Sequence, residues 1–156
     1  MLSFVVALAI RVLLVSLFFP FSALDKILNF HAAVRQCEQT VASRQLAIGL
    51  LLCGFTVEVI MSAAVLAGIA DRAAALVLAL YCIATALLWK RFWQEPDFRL
   101  SGKSAGRDVF WDFMKNIALA GGFLVLASGG SAVGVQHFFE QPLASSNPYR
   151  MTRHGE

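Results

Sequence analysis

Four long apolar runs constrain this chain more than any other feature of its sequence. They cover about residues 2–21, 46–70, 73–93 and 113–135, and each is long enough to cross a hydrocarbon core of roughly 30 Å. A chain inside lipid must satisfy its own backbone hydrogen bonds, so runs of this length fold as helices. The sequence therefore predicts an all-α membrane protein, built as a bundle of four transmembrane helices.

The composition agrees with a surface that faces lipid. Of 156 residues, 58% are hydrophobic and only 15% are charged, whereas about a quarter of the residues in soluble domains are charged. The net charge is +3, and the basic residues are concentrated in particular connections. That pattern is typical of membrane orientation rather than of nucleic-acid binding. We expect membrane lipid as a partner and no nucleic acid.

The two ends of the chain differ in character. No basic segment precedes the first apolar run, and Arg11 lies in its middle, so we expect a retained helix rather than a cleaved signal peptide. Residues 1–140 are predicted to form the membrane domain. Residues 141–156 are polar, contain two prolines and lack apolar periodicity, so we expect a mobile tail.

Lysine and arginine are distributed unequally between the two sides of the predicted bundle. The connections 25–45 and 90–116 hold three and six of them, nine in all, and the opposite side holds three. Basic residues accumulate in cytoplasmic loops. We therefore expect both longer connections in the cytoplasm and both termini outside it.

Two charged residues lie inside the apolar runs, where a charge is costly and seldom accidental. Arg11 lies in the first run and Glu58 in the second. The two helices are predicted to be antiparallel and to place these side chains at similar depth, so we expect a buried Arg11–Glu58 ion pair. Such a pair either fixes the helix register or forms the wall of a polar cavity.

A second cluster of polar and aromatic residues is predicted at the cytoplasmic ends of the helices. Aromatic walls with a few cationic and amide donors suit an oxygen-bearing aromatic head group such as a quinone. Ordinary anchoring of Lys, Arg and Trp at the membrane surface is the alternative interpretation. The candidate head-group residues are Lys26, Lys90, Arg91, Trp93, Lys115 and Asn116.

The three cysteines and three histidines predict no metal centre. Cys53 and Cys82 lie in apolar runs, where cysteine is usually a small apolar filler. Cys37 lies in a polar connection and is a candidate reactive thiol. The histidines are predicted on opposite sides of the membrane, so they cannot form one metal site.

The fourth run is rich in small residues, which let helices approach closely in lipid. Ala118 and Gly122 are four residues apart, as are Gly130 and Gly134, so each pair is predicted to share a helix face. Packing within the bundle and a homo-oligomer interface both fit this pattern.

Residues 113–122, with the sequence FMKNIALAGG, resemble the KN-x-A-L-x-G-G signature that opens the last helix of the DoxX family. The resemblance covers roughly residues 4 to 130. It implies a four-helix protein of the bacterial inner membrane, associated with redox complexes and linked to quinones, and it carries no catalytic assignment. Other residues match in the same order along the chain: Arg11, Lys26, Glu58, Phe92 and Trp93.

Three functions follow from these observations. The first is an inner-membrane subunit of a redox-associated complex, with a quinone as ligand and a soluble or membrane redox protein as partner. The second is a non-catalytic anchor or scaffold that recruits a soluble partner to residues 90–116. The third is a conductor of small solutes or ions, which the small number of polar residues within the helices disfavours.

Overall fold

The computed structural model describes residues 2–149, and within that part of the chain all regular secondary structure is helical. Shorter turns of helix lie at Leu17–Ser22 and Phe92–Gln94. The seven α-helices are α1 (Leu2–Val15), α2 (Ala23–Leu28), α3 (Phe30–Glu38), α4 (Arg44–Ala67), α5 (Asp71–Trp89), α6 (Ala105–Ser128) and α7 (Ala132–Glu140).

Within the described residues, four helical segments are long and apolar enough to cross a membrane: Leu2–Leu28, Arg44–Ala67, Asp71–Gln94 and Ala105–Ser128. At 1.5 Å per residue, 24 residues extend about 36 Å, which exceeds the roughly 30 Å hydrocarbon core. Large apolar side chains such as Leu13 remain exposed on the outside of the bundle, as expected of a surface that lipid covers. The four-helix membrane fold that the sequence predicts is confirmed.

The first span differs from the continuous helix expected over residues 2–21. It leaves helical geometry at Phe19, whose φ of −128° and ψ of 116° are extended. Pro20 causes this break, because proline lacks an N–H and disfavours the helical conformation of the residue before it. The chain then resumes as α2, so the span extends to Leu28.

The fourth span is shifted toward the N-terminus relative to the expected segment 113–135. The Ser104 side chain accepts the Arg107 N–H and begins α6 at Ala105, and Gly129 ends the helix with a φ of 66°. Glycine adopts this left-handed conformation without steric cost. Gly134 therefore belongs to α7 and does not share a continuous helix face with Gly130.

The turn between the second and third spans lies earlier than expected. Gly68, with a φ of 71°, and Ala70, with a φ of 45°, reverse the chain. Asp71 and Arg72, which the sequence places in the turn, instead open α5. Asp71 is fully buried.

The core forms where α5 packs against α6 and α4. Leu78, Phe123 and Val65 are fully buried there, and alanines on α5 let the neighbouring helices approach closely. On α6, a Cβ at Gly122 would lie 2.8 Å from Leu14 Cδ2, so Gly122 packs against the first span. A Cβ at Gly121 would meet nothing within 4 Å. Packing within the bundle explains the glycine at position 122. Gly121 faces open space, so a homo-oligomer interface at this face of α6 stays a proposal.

Because the spans are antiparallel, the bundle has two distinct ends. We call the end formed by the connections 29–43 and 90–104 the loop end, and the end formed by residues 68–70 the terminal end. Residues 145–149 hydrogen-bond to the terminal end, where a mobile tail was expected. Residues 150–156 of the expected tail lie outside the described part of the chain.

Candidate functional site

A cavity of about 560 Å³ extends from the interior of the bundle to the loop end. Its inner part is lined by Glu58 on α4 and Tyr81 on α5, and its outer part by Lys90, Asp112 and Lys115. Most of the remaining wall is apolar or aromatic. Small-molecule sites usually have this composition, with a mostly apolar wall and a few polar groups that orient the ligand.

Glu58 is buried, and donors from three segments surround it. Lys26 Nζ lies 2.7 Å from each carboxylate oxygen, and the Tyr81 hydroxyl donates to Oε1 at 2.7 Å. The Ser22 hydroxyl donates to Oε2 at 3.1 Å. A buried carboxylate is tolerated in a membrane protein only with such partners, because desolvation would otherwise cost several kcal/mol.

Gly54 makes room for the contact between Tyr81 and Glu58. It lies one helical turn before Glu58 on α4, and a Cβ added to it would lie 3.0 Å from the Tyr81 hydroxyl oxygen. Any larger residue at this position displaces the phenol. Gly54 is thus a positioning residue for the inner part of the cavity, which the sequence analysis did not identify.

One face of α5 lines the cavity with polar groups spaced one turn apart. Tyr81, Thr85 and Trp89 are each four residues apart, so they project from the same side of the helix. The Thr85 hydroxyl donates to the Cys82 carbonyl at 3.0 Å. The Trp89 Nε1–H is buried and has no hydrogen-bond partner within residues 2–149. An unpaired buried donor in a cavity wall is suited to an acceptor on a ligand.

The outer part of the cavity is a small charge network centred on Asp112. Lys90 Nζ and Lys115 Nζ each lie 3.1 Å from an Asp112 carboxylate oxygen. Asn116 donates to the Asp112 backbone carbonyl at 3.1 Å. The cavity lining as a whole holds three lysines and three carboxylates, so it carries no net charge: Lys26, Lys90, Lys115, Asp25, Glu58 and Asp112.

Four of the six predicted head-group residues line the cavity, namely Lys26, Lys90, Lys115 and Asn116, whereas Arg91 and Trp93 lie outside the lining. The Arg91 Nε–H donates to the Leu87 carbonyl, and the half-exposed Trp93 packs against aromatic neighbours. The lining also includes Asp112, which the sequence analysis did not single out.

Lys115 and Asn116 do not open the last helix as the sequence analysis expected. They lie ten and eleven residues after Ala105, in the middle of α6. The backbone N–H groups there are paired within the helix, so a helix N-terminus cannot contribute to ligand binding at this position. Their contribution comes from their side chains alone.

The expected Arg11–Glu58 ion pair is wrong. Arg11 Nη2 lies 2.6 Å from Asp71 Oδ2, and Nη1 donates to the Val65 carbonyl at 2.6 Å. The first span continues to Leu28, which moves Arg11 toward the terminal end and brings Lys26 to the depth of Glu58. Both buried charges therefore have partners, and each partner comes from a segment that the sequence analysis placed outside the apolar core.

Cys37 also lines the cavity, on α3. Burial raises the pKa of its thiol above the ordinary value, and the positive charge of Lys26 opposes this shift only in part. The thiol form therefore predominates at neutral pH, which argues against a reactive thiolate. Within residues 2–149, no three His, Cys, Asp or Glu side chains are grouped so that they could hold a metal ion.

Residues 6–91, which are 86 of the 156 residues, match the DoxX family profile. No curated protein and no solved structure matches the chain significantly.

Proposed function

This chain belongs to the DoxX family of membrane proteins, and we propose that its cavity binds the head group of a quinone. On this proposal the protein is a subunit of a redox-associated complex in the bacterial inner membrane. The observation that carries the proposal is that Trp89, whose buried Nε1–H has no hydrogen-bond partner among residues 2–149, lines the cavity together with Lys26, Tyr81 and Glu58.

The charge of the cavity favours a neutral head group over an anionic one. Three lysines and three carboxylates line it, and the positive charges of Lys26 and Lys90 are already paired at 2.7 Å and 3.1 Å. A phosphate or carboxylate head group would have to displace one of these carboxylates. A quinone carbonyl needs only a hydrogen-bond donor, which Trp89 supplies without breaking an existing contact.

The size and wall of the cavity also fit a quinone ring. A volume of about 560 Å³ lies within the roughly 300–1,000 Å³ typical of small-molecule sites. Phe18, Phe21 and Trp89 provide aromatic surface, and Leu17 and Leu50 extend the apolar wall. An isoprenoid tail can follow such a wall toward the lipid.

The test is to purify the protein in mild detergent, assay it for bound quinone by mass spectrometry, and measure its thermal stability with added quinone. We expect bound quinone and a concentration-dependent rise in Tm. Trp89→Phe keeps the ring but removes the N–H, so it should weaken quinone binding about tenfold, the effect of one hydrogen bond.

Trp93→Phe is the matched control, because Trp93 lies outside the cavity lining and the same atoms are removed. It should leave quinone binding unchanged. If the wild-type protein carries no quinone and its Tm does not respond to added quinone, the quinone proposal is wrong.

A scaffold that recruits a soluble partner is the second candidate function. The observation that favours it is the exposure of large apolar side chains at and near the loop end, where Trp93, Leu100 and Trp111 are each about half exposed or more. Arg99 and Lys103 lie in the same segment and add positive charge. This function predicts that Leu100→Asp disrupts a complex with a redox protein while the Tm of the isolated chain is unchanged.

A further inference from the structure

The terminal end of the bundle is covered by a short segment, residues 145–149, which we call the strap. The Ser145 hydroxyl donates to the Gly68 carbonyl at 2.6 Å, and the Ser146 N–H donates to Asp71 Oδ1 at 2.8 Å. The Tyr149 hydroxyl donates to the Leu66 carbonyl, and its ring packs against Phe4 at 5.2 Å. The strap therefore joins the α4–α5 turn to the first span.

Beneath the strap lies the buried Arg11–Asp71 ion pair. Asp71 is 0% exposed and Arg11 is 3% exposed, and the Ser146 hydroxyl contacts both, at 2.5 Å from Asp71 Oδ2 and 2.8 Å from Arg11 Nη2. Removing the strap would uncover this pair on the terminal side. The pair would persist without it, because Arg11 also contacts Asp71 and the Val65 carbonyl directly.

The strap itself is lightly held. None of its five residues is buried, and Asn147 is exposed. Its attachment consists mainly of hydrogen bonds to the bundle, and each contributes little net stability because water can replace it. A segment of this kind is expected to open at a lower free energy than the packed helices beneath it.

Polar groups continue along one face of α4 below the strap. The Val65 carbonyl binds Arg11, Ser62 lies one turn deeper, and Glu58 lies one turn beyond Ser62 at the inner part of the cavity. Ser62 is 0% exposed, and its hydroxyl has no hydrogen-bond partner among residues 2–149. A fully buried hydroxyl without a partner is rare, and it points to a site that water or a small polar solute reaches.

We propose that the strap is a gate at the terminal end of the bundle. With the strap in place, this buried polar face of α4 is covered at the terminal end and meets the cavity at Glu58. Release of the strap admits water past Arg11 and Asp71 to Ser62, so the polar interior becomes accessible from the terminal end as well. This inference is independent of which ligand the cavity binds.

The test measures access to position 62 with a thiol reagent. Cys37, Cys53 and Cys82 are replaced by alanine, Ser62→Cys is introduced, and the full chain is treated in lipid nanodiscs with a charged methanethiosulfonate. Ser146→Ala with Tyr149→Phe removes the side-chain hydrogen bonds of the strap to Asp71, Arg11 and Leu66 and leaves only the Ser146 N–H bond to Asp71 and the Ser145 bond to Gly68. We expect the labelling rate to rise at least tenfold in this variant.

Asn147→Gly is the control, because Asn147 has a φ of 50°, which suits glycine, and its side chain contacts only Ser145 within the strap. It should leave the labelling rate unchanged. Equal labelling rates with and without the strap contacts would overturn the proposal, since access would then come from the cavity alone.

Hydrogen exchange of the unaltered protein gives a second test that needs no substitution. The Ser146 amide, bonded to Asp71, should exchange at least a hundredfold faster than the amides of α4 around Ser62, because the strap opens without unfolding of the bundle. Exchange of both at the same rate would show that the strap opens only by global unfolding, and the gate would be wrong.

Discussion

At the scale of single residues, the two buried charges of the spans are paired across different elements. Arg11 pairs with Asp71 from the start of α5, and Glu58 pairs with Lys26 from α2. In both cases the partner lies at the end of a helix, next to an apolar run. A buried charge in lipid thus recruits the nearest opposite charge that the helix packing brings to its depth.

The pairing of Arg11 can be measured by a double-mutant cycle. Arg11→Leu should destabilise the bundle by about 3–5 kcal/mol, because Asp71 would be left buried without its charged partner. Arg11→Leu combined with Asp71→Leu should recover much of that stability. Arg11→Leu combined with Glu58→Leu should not recover it, since Glu58 belongs to the other pair. Denaturant titration in detergent distinguishes the two double variants, and recovery by the Glu58 combination would contradict the observed pairing.

Gly54 gives a second prediction at this scale. Gly54→Ala pushes against the Tyr81 hydroxyl and should separate it from Glu58, at a cost of about 1–3 kcal/mol for overpacking. Gly49→Ala is the matched control on the same helix, because a Cβ there meets nothing within 4 Å. Thermal unfolding in detergent should show a lower Tm for the first variant only. Equal Tm values for Gly54→Ala and Gly49→Ala would mean that Gly54 does not position Tyr81.

At the scale of elements, the N-terminus of α6 is capped by two side-chain hydrogen-bond acceptors that lie outside the membrane span. Ser104 accepts the Arg107 N–H, and Asp97 accepts the N–H groups of Ala105 and Gly106 at 2.8 Å and 2.9 Å. The same contacts hold the connection close to α6, since a Cβ at Gly106 would lie 2.8 Å from the Phe98 Cα. This end of the fourth span is therefore fixed by capping rather than by hydropathy.

The cap predicts a pH dependence of stability. The backbone N–H groups of Gly106 and Ala105 lower the pKa of Asp97. Since the folded-state pKa is lower than the unfolded value of about 3.9, the carboxylate stabilises the fold above that value, and this stabilisation is lost as pH falls through the folded-state pKa. Asp97→Ala should have a lower Tm than wild type at pH 7. This difference in Tm should disappear once the pH is below the folded-state pKa of Asp97.

Asp97→Asn is the control for the charge, because the amide keeps an acceptor oxygen but does not titrate in this range. The Tm values of Asp97→Asn and of wild type should also become equal at low pH. A difference between wild type and Asp97→Ala that persists unchanged through this pH range would contradict the role of the ionised carboxylate.

At the scale of the whole molecule, orientation follows from the distribution of positive charge. Residues 25–45 and 90–116, which include the connections of the loop end, hold nine lysines and arginines, so we propose that this end faces the cytoplasm and that both termini lie outside it. Alkaline phosphatase fused to the C-terminus should be active, whereas a fusion near Lys103 should be inactive. The reverse pattern would place the cavity at the outer face of the membrane.

The number and approximate position of the spans were determined by the sequence itself. Transfer of apolar side chains into lipid is favourable residue by residue, so the free energy of insertion adds along a continuous run and can be estimated without knowledge of any neighbour. The DoxX match likewise needs no tertiary information, because it depends on the order of residues along the chain. The early end of α6 is also a local effect, because Gly129 and Gly130 both adopt positive φ.

The pairing of the buried charges was decided only by the tertiary structure. Which acid meets Arg11 depends on the relative depth of three helices, and the break at Phe19–Pro20 with the extension to Leu28 changes that depth. The position of Asp71 beneath Ser146 depends further on a segment 75 residues away. An ion pair needs its two groups within about 4 Å. The insertion free energy adds along one segment, and it contains no information about the distance between two separate segments.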